Sequence, residues 1–501
     1  MYARVNSAYG RLETLFRRMG TLGEAAGILQ WDASTMMPTG SADARSDQLA
    51  TLKSISHEML AAPETAELLD AAGHEQTTLD DWQVANLREM RRIWVHETAL
   101  DGALVEARSK AAMSCEMIWR EARPKSDFAA VLPALSEVVR LTREAAAAKA
   151  AKLGLTPYDA LMDQFSPGVR AADFDRIFAR LADVLPGMIE GALWRQNKDP
   201  QPISPTGPFP AKAQRAVGTL FMELLGFDFN SGRLDVSLHP FSGGTPDDLR
   251  ITTRYDEDDF TRGLMGILHE TGHALYERGL PREWRRQPVG EARGMDVHES
   301  QSLLIEMQVC RSFEFLSYAA PHLKEAFGGA DAVWSVDNLT RIYTRVSRSL
   351  IRVDADEMTY PLHVILRYRL ERAIVSGDLA LADLPGAWND GMRDLIGIVP
   401  DSDRTGCLQD IHWFDGAFGY FPSYTLGAMA AAQMYAAAKS ADPNIPAAIT
   451  TGDFKPLYAW LGAKVHSQGC RYDTPELIAQ ATGAPLSVDA FLTHLERRYL
   501  G

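Results

Sequence analysis

His269, Glu270 and His273 stand in the order His-Glu-Thr-Gly-His, an HExxH, and that spacing specifies a chemistry. On a helix, residues four apart lie one turn above each other, so the two imidazoles can present ring nitrogens to one small volume that suits a divalent metal ion. Glu270, about 100° round the helix from His269, falls beside the position such an ion leaves open, where a carboxylate can take a proton from water. With 12 histidines in 501 residues, a chance HExxH has odds on the order of one in fifty.

The segment must be helical for this to hold. Leu264, Ile267, Leu268, Thr271, Ala274 and Leu275 recur at i, i+3, i+4 and define a core-facing stripe. At about 100° per residue the histidines project roughly 140–180° away from it. Gly263, Gly266 and Gly272 each cost about 1 kcal/mol of helix propensity against alanine. Something is therefore expected to approach this helix closely, another backbone or a substrate. Gly279 and Pro281 supply the stop.

Two histidines leave a metal short of ligands. The acidic candidates downstream are Glu291, Asp296, Glu299 and Glu306. Glu299, in His298-Glu299-Ser300-Gln301 at the start of the next helical pattern, is placed to face back onto the preceding helix. Asp296 and Glu299 also fit a capping box, and spacing alone does not separate the two roles. His298 is either a partner that orients Glu299 or itself a ligand.

The surrounding chain is 46% hydrophobic, enough for a large core, and its formal charge of -15 excludes nucleic acid, which needs clustered Lys and Arg. Cys115, Cys310, Cys407 and Cys470 are far apart with no CxxC. They indicate neither a zinc ribbon nor a disulfide framework and suit a reducing cytoplasm. Met1 to Gly20 carries Arg4, Arg11, Arg17 and Arg18 without an apolar stretch, so no signal peptide is expected. No run approaches the eighteen or so apolar residues of a membrane span.

Helical patterns cover Val5–Gln30, Ala42–Ala61, a very long Leu79–Glu121 interrupted only by Gly102, and Phe128–Lys152. The last two predict a helical hairpin, a lid or groove wall if it is not plain scaffold. The proline-rich stretch from Asp199 to Pro210 is the best subdomain boundary within a single domain 1–501, dividing an N-terminal helical lid or groove wall (1–200) from a catalytic core (201–501). Leu234–Phe241 and Leu249–Tyr255 flank a turn at Ser242–Asp247 and predict a β-hairpin, its second strand an edge able to pair with an extended peptide. The fold class is mainly α, with a small hairpin or sheet beside the HExxH helix.

Several separated stretches match one family together. The chain contains His239-Pro240-Phe241, Asp248-Leu249-Arg250-Ile251-Thr252, His298-Glu299-Ser300-Gln301, Ile351-Arg352-Val353-Asp354-Ala355-Asp356 and Gly406-Cys407-Leu408-Gln409-Asp410-Ile411-His412-Trp413, with Trp31-Asp32 and Met37-Pro38-Thr39-Gly40 near the amino terminus. It resembles the thermostable metallocarboxypeptidase family typified by carboxypeptidase Taq. The resemblance implies a homodimeric, neurolysin-like helical subunit with a deep groove, removing single residues from peptide carboxyl ends with broad specificity. It implies one metal ion on His269, His273 and Glu299, and Glu270 as the base. Zinc suits these ligands, and cobalt or manganese could occupy them.

Such a reaction also needs oxyanion stabilisation and recognition of the terminal carboxylate. His412, Tyr420 and Tyr424, in a glycine-punctuated aromatic loop, are the candidates for the first. Arg250 and Arg352 are candidates for the second. The plain alternative for Arg352 is an ion pair with Asp356 at i, i+4. His239 is expected to shape the hairpin or to hydrogen-bond a group behind the metal rather than touch the metal, and Gln409 and Asp410 to hold His412. Two competing readings are an oligopeptidase cutting internally with the same metal centre and a non-catalytic helical scaffold.

Overall fold

The computed structural model describes residues 7–237 and 239–501. Helix α1 (Ala8–Thr35) takes up most of the pattern read from Val5, with Arg4 and Val5 outside the described residues. The single long helix expected over Leu79–Glu121 is instead two, α2 (Asp81–Thr98) and α3 (Gly102–Lys125). The cause is local: Asp101 Oδ1 accepts a hydrogen bond from Leu104 N at 2.8 Å. Asp101 is thus an N-cap, and Gly102 starts a new helix rather than weakening an old one. α4 (Phe128–Leu153), capped likewise by Asp127, packs back along α3 and completes the expected helical hairpin. Residues 199–210 lie against the body, where Ile203 exchanges two hydrogen bonds with Asn338, at 2.7 and 2.8 Å, and Phe209 is buried.

The β structure differs from the expected hairpin. Strands β1 (Gly232–Val236), β2 (Ser242–Thr245) and β3 (Asp248–Thr253) form one sheet in the order β1-β3-β2. β2 and β3 are the antiparallel pair, joined through Pro246 and Asp247, whereas β1 pairs parallel with β3. The residues read as turn are largely strand, and the strand read as an edge is central, with both sides occupied. Leu238, within the first expected strand, lies outside the described residues. Leu249 and Ile251 of β3 pack with Ile267 and Ala274, so the sheet forms a shelf under the HExxH helix.

That helix is α5 (Phe260–Gly279), opened by Asp259, whose carboxylate accepts from Thr261 N at 2.9 Å. All six residues of the expected stripe are buried. The expected close approach occurs at Gly272. A Cβ there would lie 2.6 Å from Gln301 O and 2.7 Å from Ser302 Cα, both backbone atoms of the next helix, α6 (Gly294–Leu303). By contrast, Gly187, inside the Ala171–Lys198 helix, has nothing within 4 Å of its would-be Cβ. Gly272→Ala should therefore destabilise by about 1–3 kcal/mol through overpacking, while Gly187→Ala should be neutral or stabilising by up to about 1 kcal/mol. Urea unfolding of the two variants checks this, and equal midpoints would remove the close approach from the account.

A buried ion pair ties the N-terminal helices to α6. Arg293, the residue before α6, donates through Nη1 and Nη2 to the two carboxylate oxygens of Glu89 on α2, each at 3.0 Å. The side chains are 1% and 3% exposed. Burial disfavours the charge on Glu89, but Arg293, supported by Arg92 and Arg88, outweighs it and holds the carboxyl at about 2. A carboxyl depressed in the fold contributes stability above its unfolded value of about 4.5 and loses it as pH falls through about 2. Glu89→Gln should cost about 3–5 kcal/mol near neutrality, since it leaves Arg293 underpaired. It should also remove part of the parent's loss of stability below pH 4.5. Parallel pH profiles of the unfolding midpoint in parent and variant would contradict this.

Candidate metal centre and active site

α5 and α6 cross at Gly272, and the crossing sets His273 opposite Glu299. Glu299 Oε2 lies 3.3 Å from His273 Nε2 and 3.7 Å from His269 Nε2. One atom from each of the three residues falls within 4.8 Å of the others. Behind Glu299 stands helix α8 (Pro422–Ala441): a Cβ on its Gly427 would sit 3.0 Å from Glu299 Cβ and Cγ. The capping-box alternative does not occur. Asp296 Oδ1 accepts from its neighbour Val297 and from Thr474, while the Glu299 carboxylate turns to the histidines and Ser302.

Each histidine is oriented from behind. His269 Nδ1 lies 2.9 Å from Glu306 Oε2, and Glu306 is itself held by Arg311. Glu306 sits in a π-helical stretch, Leu304–Cys310, that continues α6. The wider turn advances the helix differently from an α-turn and brings this carboxylate round to His269. His273 Nδ1 lies 2.6 Å from His298 Nδ1, and His298 Nε2 lies 2.9 Å from Glu277 Oε1. A carboxylate oxygen accepts, so His298 Nε2 donates to Glu277 and His273 Nδ1 donates to His298 Nδ1. His273 thus keeps an Nε2 lone pair for the shared volume, and His269, its Nδ1 directed at Glu306, presents Nε2 to the same volume, where a cation would displace its proton. Glu306 is a partner of His269 here, and His298 is a partner of His273 rather than of Glu299.

The electrostatics favour a cation. Burial works against charge on Glu299, but His269 and His273 outweigh it and keep the carboxyl near 2. His269 is pulled up to about 10: burial opposes this, and the carboxylates of Glu299 and Glu306 on its two sides prevail. His273 is pushed down to about 4 by burial and by His298, so it is a neutral imidazole. A buried carboxylate facing two imidazoles, with no lysine or arginine in the triad, is a donor set that fits a divalent ion. Glu270 is buried, and burial lifts its carboxyl to about 7, with the charges of Glu299 and Glu306 adding to the rise against His269 and His298.

A cavity of about 280 Å³ opens beside the triad, lined by His269, Glu299, Leu303, Met307, Arg352 and Tyr360 among others. Arg352 does not pair with Asp356, which is occupied by the backbone of Ser347, Met358 and Thr359. It donates instead to Asp410 Oδ1 at 2.8 Å and to the Tyr360 hydroxyl at 2.7 Å. Tyr360 begins helix α7 (Tyr360–Ser376). Arg367 of α7 donates to Asp410 Oδ2 at 2.6 Å and to Gln409 Oε1 at 2.8 Å. Two guanidiniums therefore share one carboxylate. His412 adds no charge, because burial and the two arginines push it down to about 4, and its Nδ1 is buried without a hydrogen-bond partner among the described residues. The rings of His412, Tyr420 and Tyr424 cluster at centroid distances of 5.2–6.5 Å. The last two residues lie just before and within α8 (Pro422–Ala441).

Arg250 is placed differently. Its guanidinium pairs with Asp248 and lies 4.6 Å from the ring centre of Trp31, which also receives Arg233. It joins α1 to the sheet. His239 is exposed, and its carbonyl accepts from Ser237 Oγ. Sequence reading missed Glu277, Tyr360 and Gly427. Only Glu277 had a signal, its position one turn beyond His273 on the same helix.

An HExxH helix, a carboxylate returned by the next helix and a cavity beside them define a metallopeptidase. A family profile described as carboxypeptidase Taq (M32) metallopeptidase matches residues 11–499. Thermostable carboxypeptidase 1 of Thermus thermophilus is 37% identical over 508 residues, covering 98% of each chain. Carboxypeptidase 1 of Bacillus subtilis is 33% identical, covering 97% of this chain and 96% of that one. The structure of metallocarboxypeptidase 1 of Trypanosoma cruzi superposes with a TM-score of 0.96 at 40% identity, over 99% of each chain. The chain belongs to the M32 carboxypeptidase Taq family and is a metal-dependent carboxypeptidase.

Glu306→Gln should keep the fold and bind zinc about 10- to 100-fold more weakly, the usual effect of removing a partner that orients a ligand histidine. Competition with a chromogenic chelator measures it. Unchanged affinity would mean that Glu306 does not set the His269 ring.

Proposed function

We propose that this chain removes residues one at a time from the carboxyl ends of peptides, with broad side-chain specificity, using one divalent ion per subunit held by His269, His273 and Glu299. The observation that carries this reading is the surplus positive charge at Arg352. Arg352 and Arg367 have one carboxylate between them, Asp410, and Arg352 stands in the wall of the cavity that His269 and Glu299 also line. Both arginines are buried, but of the two only Arg352 lines that cavity, so it is the one that faces a bound substrate. A terminal carboxylate supplies the missing charge, and an internal segment of peptide does not.

When bound, the ion supplies the Lewis acidity that polarises a peptide carbonyl and acidifies water, zinc being the ion these ligands suit best, with cobalt and manganese as alternatives. Glu270 takes the proton from the attacking water and returns it to the leaving amine. Burial makes it a stronger base than an exposed glutamate. Burial raises the Tyr420 hydroxyl above its ordinary pKa, against a smaller opposing effect of Tyr424. Tyr420 thereby keeps its own proton free to donate to the carbonyl oxygen as charge develops there, and neutral His412 is the second donor. Arg250 is the second candidate for the substrate's carboxylate, tied for the present to Asp248 and Trp31. The resemblance to the family suggests a homodimer, and the four free, buried cysteines suit a reducing cytoplasm.

Mass spectrometry of peptide products tests this directly. A ladder losing one carboxy-terminal residue per step, abolished by chelator, is expected. Glu270→Gln should keep its metal and lose about 10²- to 10⁴-fold in kcat. Cleavage of carboxy-amidated peptides at the parental rate, or internal fragments, would favour an oligopeptidase instead.

A further inference from the structure

The catalytic loop from His412 to Tyr420 is held by a buried carboxylate that the reaction scheme does not use. Glu371, on α7, is fully buried, and each of its oxygens is engaged. Oε2 accepts from Trp413 Nε1 at 2.8 Å. Oε1 accepts from Gly419 N at 2.5 Å and from the Tyr158 hydroxyl at 2.8 Å. Trp413 is the neighbour of His412, and Gly419 is the neighbour of Tyr420. The two loop anchors therefore adjoin the two groups read above as oxyanion donors. Among the described residues no lysine or arginine bonds Glu371, so its burial has no ion pair to offset it, an arrangement that is costly unless the hydrogen bonds it collects are needed.

The placement on α7 reinforces this. Tyr360, Arg367 and Glu371 stand at i, i+7 and i+11, on one side of the helix. Tyr360 fixes Arg352, Arg367 fixes Gln409 and Asp410, and Glu371 fixes Trp413 and Gly419. One helix thus sets the carboxylate-binding arginine, the start of the loop and both sides of its catalytic span. Within the loop, Ala417 N donates to His412 O at 2.7 Å, which closes it into a compact turn that can move as a unit.

We propose that Glu371 is a positioning residue for the carboxypeptidase reaction, fixing His412 and Tyr420 relative to each other by accepting hydrogen bonds from Trp413 and Gly419. This rests on the reading of His412 and Tyr420 as oxyanion donors. The chemistry of Glu371→Gln makes the test sharp. Neither Trp413 Nε1–H nor Gly419 N–H can accept, so whichever way the carboxamide turns, its NH₂ faces one of them and one anchor is lost.

Metal-loaded Glu371→Gln should keep its zinc content and a KM within about threefold of the parent, while kcat falls about 10- to 100-fold, less than the loss of an oxyanion donor outright. If that variant does not fold, Trp413→Phe, which keeps the ring and removes only the indole donor, carries the same expectation. Tyr158→Phe removes a bond to Glu371 that does not reach the loop and should leave kcat within about twofold of the parent. The deciding measurement is a double-mutant cycle with Tyr420→Phe. Because Glu371 acts through the loop, its substitution should cost clearly less kcat once Tyr420's hydroxyl is gone than it does in the parent, the remainder being the part that acts on His412. Parental kcat in Glu371→Gln, or losses that multiply in full in the double variant, would overturn the inference. If Tyr420→Phe and His412→Ala themselves retain parental kcat, the reading of the donors fails and this inference falls with it. If they are impaired while Glu371→Gln is not, only this inference fails.

Discussion

Two helix backbones meet at Gly272 with room for a hydrogen atom and nothing larger, and the site depends on that contact. Any side chain there would meet Gln301 O and Ser302 Cα and push α6 away from α5. The separation of Glu299 from His273, 3.3 Å between ligand atoms, would grow with it. Gly427 does the same from the other side, letting α8 press against Glu299. The ligand geometry is thus a packing result before it is an electrostatic one, because interiors are close-packed and transmit small displacements. The sheet under α5 and the Glu89–Arg293 pair in front of α6 keep those two helices where the crossing requires.

Around this frame, five buried or half-buried acids are given different tasks by their neighbours. Glu299 faces two imidazoles and stays ionised. Glu306 is tied to Arg311 and steers His269. Glu270 meets burial and like charges, and its carboxyl rises to about 7, the range in which a proton can be taken and returned. Asp410 lies between two arginines and leaves one positive charge unbalanced. Glu371 meets, among the described residues, only neutral donors and serves as an anchor. Carboxyl chemistry is the same in every case, and environment decides the role.

Much of the site was legible because its information is periodic. HExxH and the stripe from Leu264 to Leu275 specify a helix, a buried face and a ligand face from spacing alone, and the glycine cost at 272 pointed to a close partner. Glu299 could be narrowed to a few acids but not chosen, since the same spacing fits a cap. What decides it is the crossing of two helices, a contact between residues about thirty apart. The break at Asp101 is visible once the aspartate is read as an N-cap rather than as part of a charged helix face. The sheet order was not legible, because a parallel partner for β3 depends on how the chain returns after β1. Glu306 was visible as an acid, but its role arises from a π-helical turn that no hydrophobic period announces. Gly427 left no signal, because small residues are common in helices for many reasons.

The most direct test of the central claim is anomalous diffraction at the zinc edge from crystals of the protein loaded with zinc. One peak per chain is expected, about 2.0–2.2 Å from His269 Nε2, His273 Nε2 and a Glu299 oxygen, with Glu306 and His298 on the far sides of the two rings. A peak ligated by His298 or Glu306 in place of any of these three, or no peak between α5 and α6, would contradict the account.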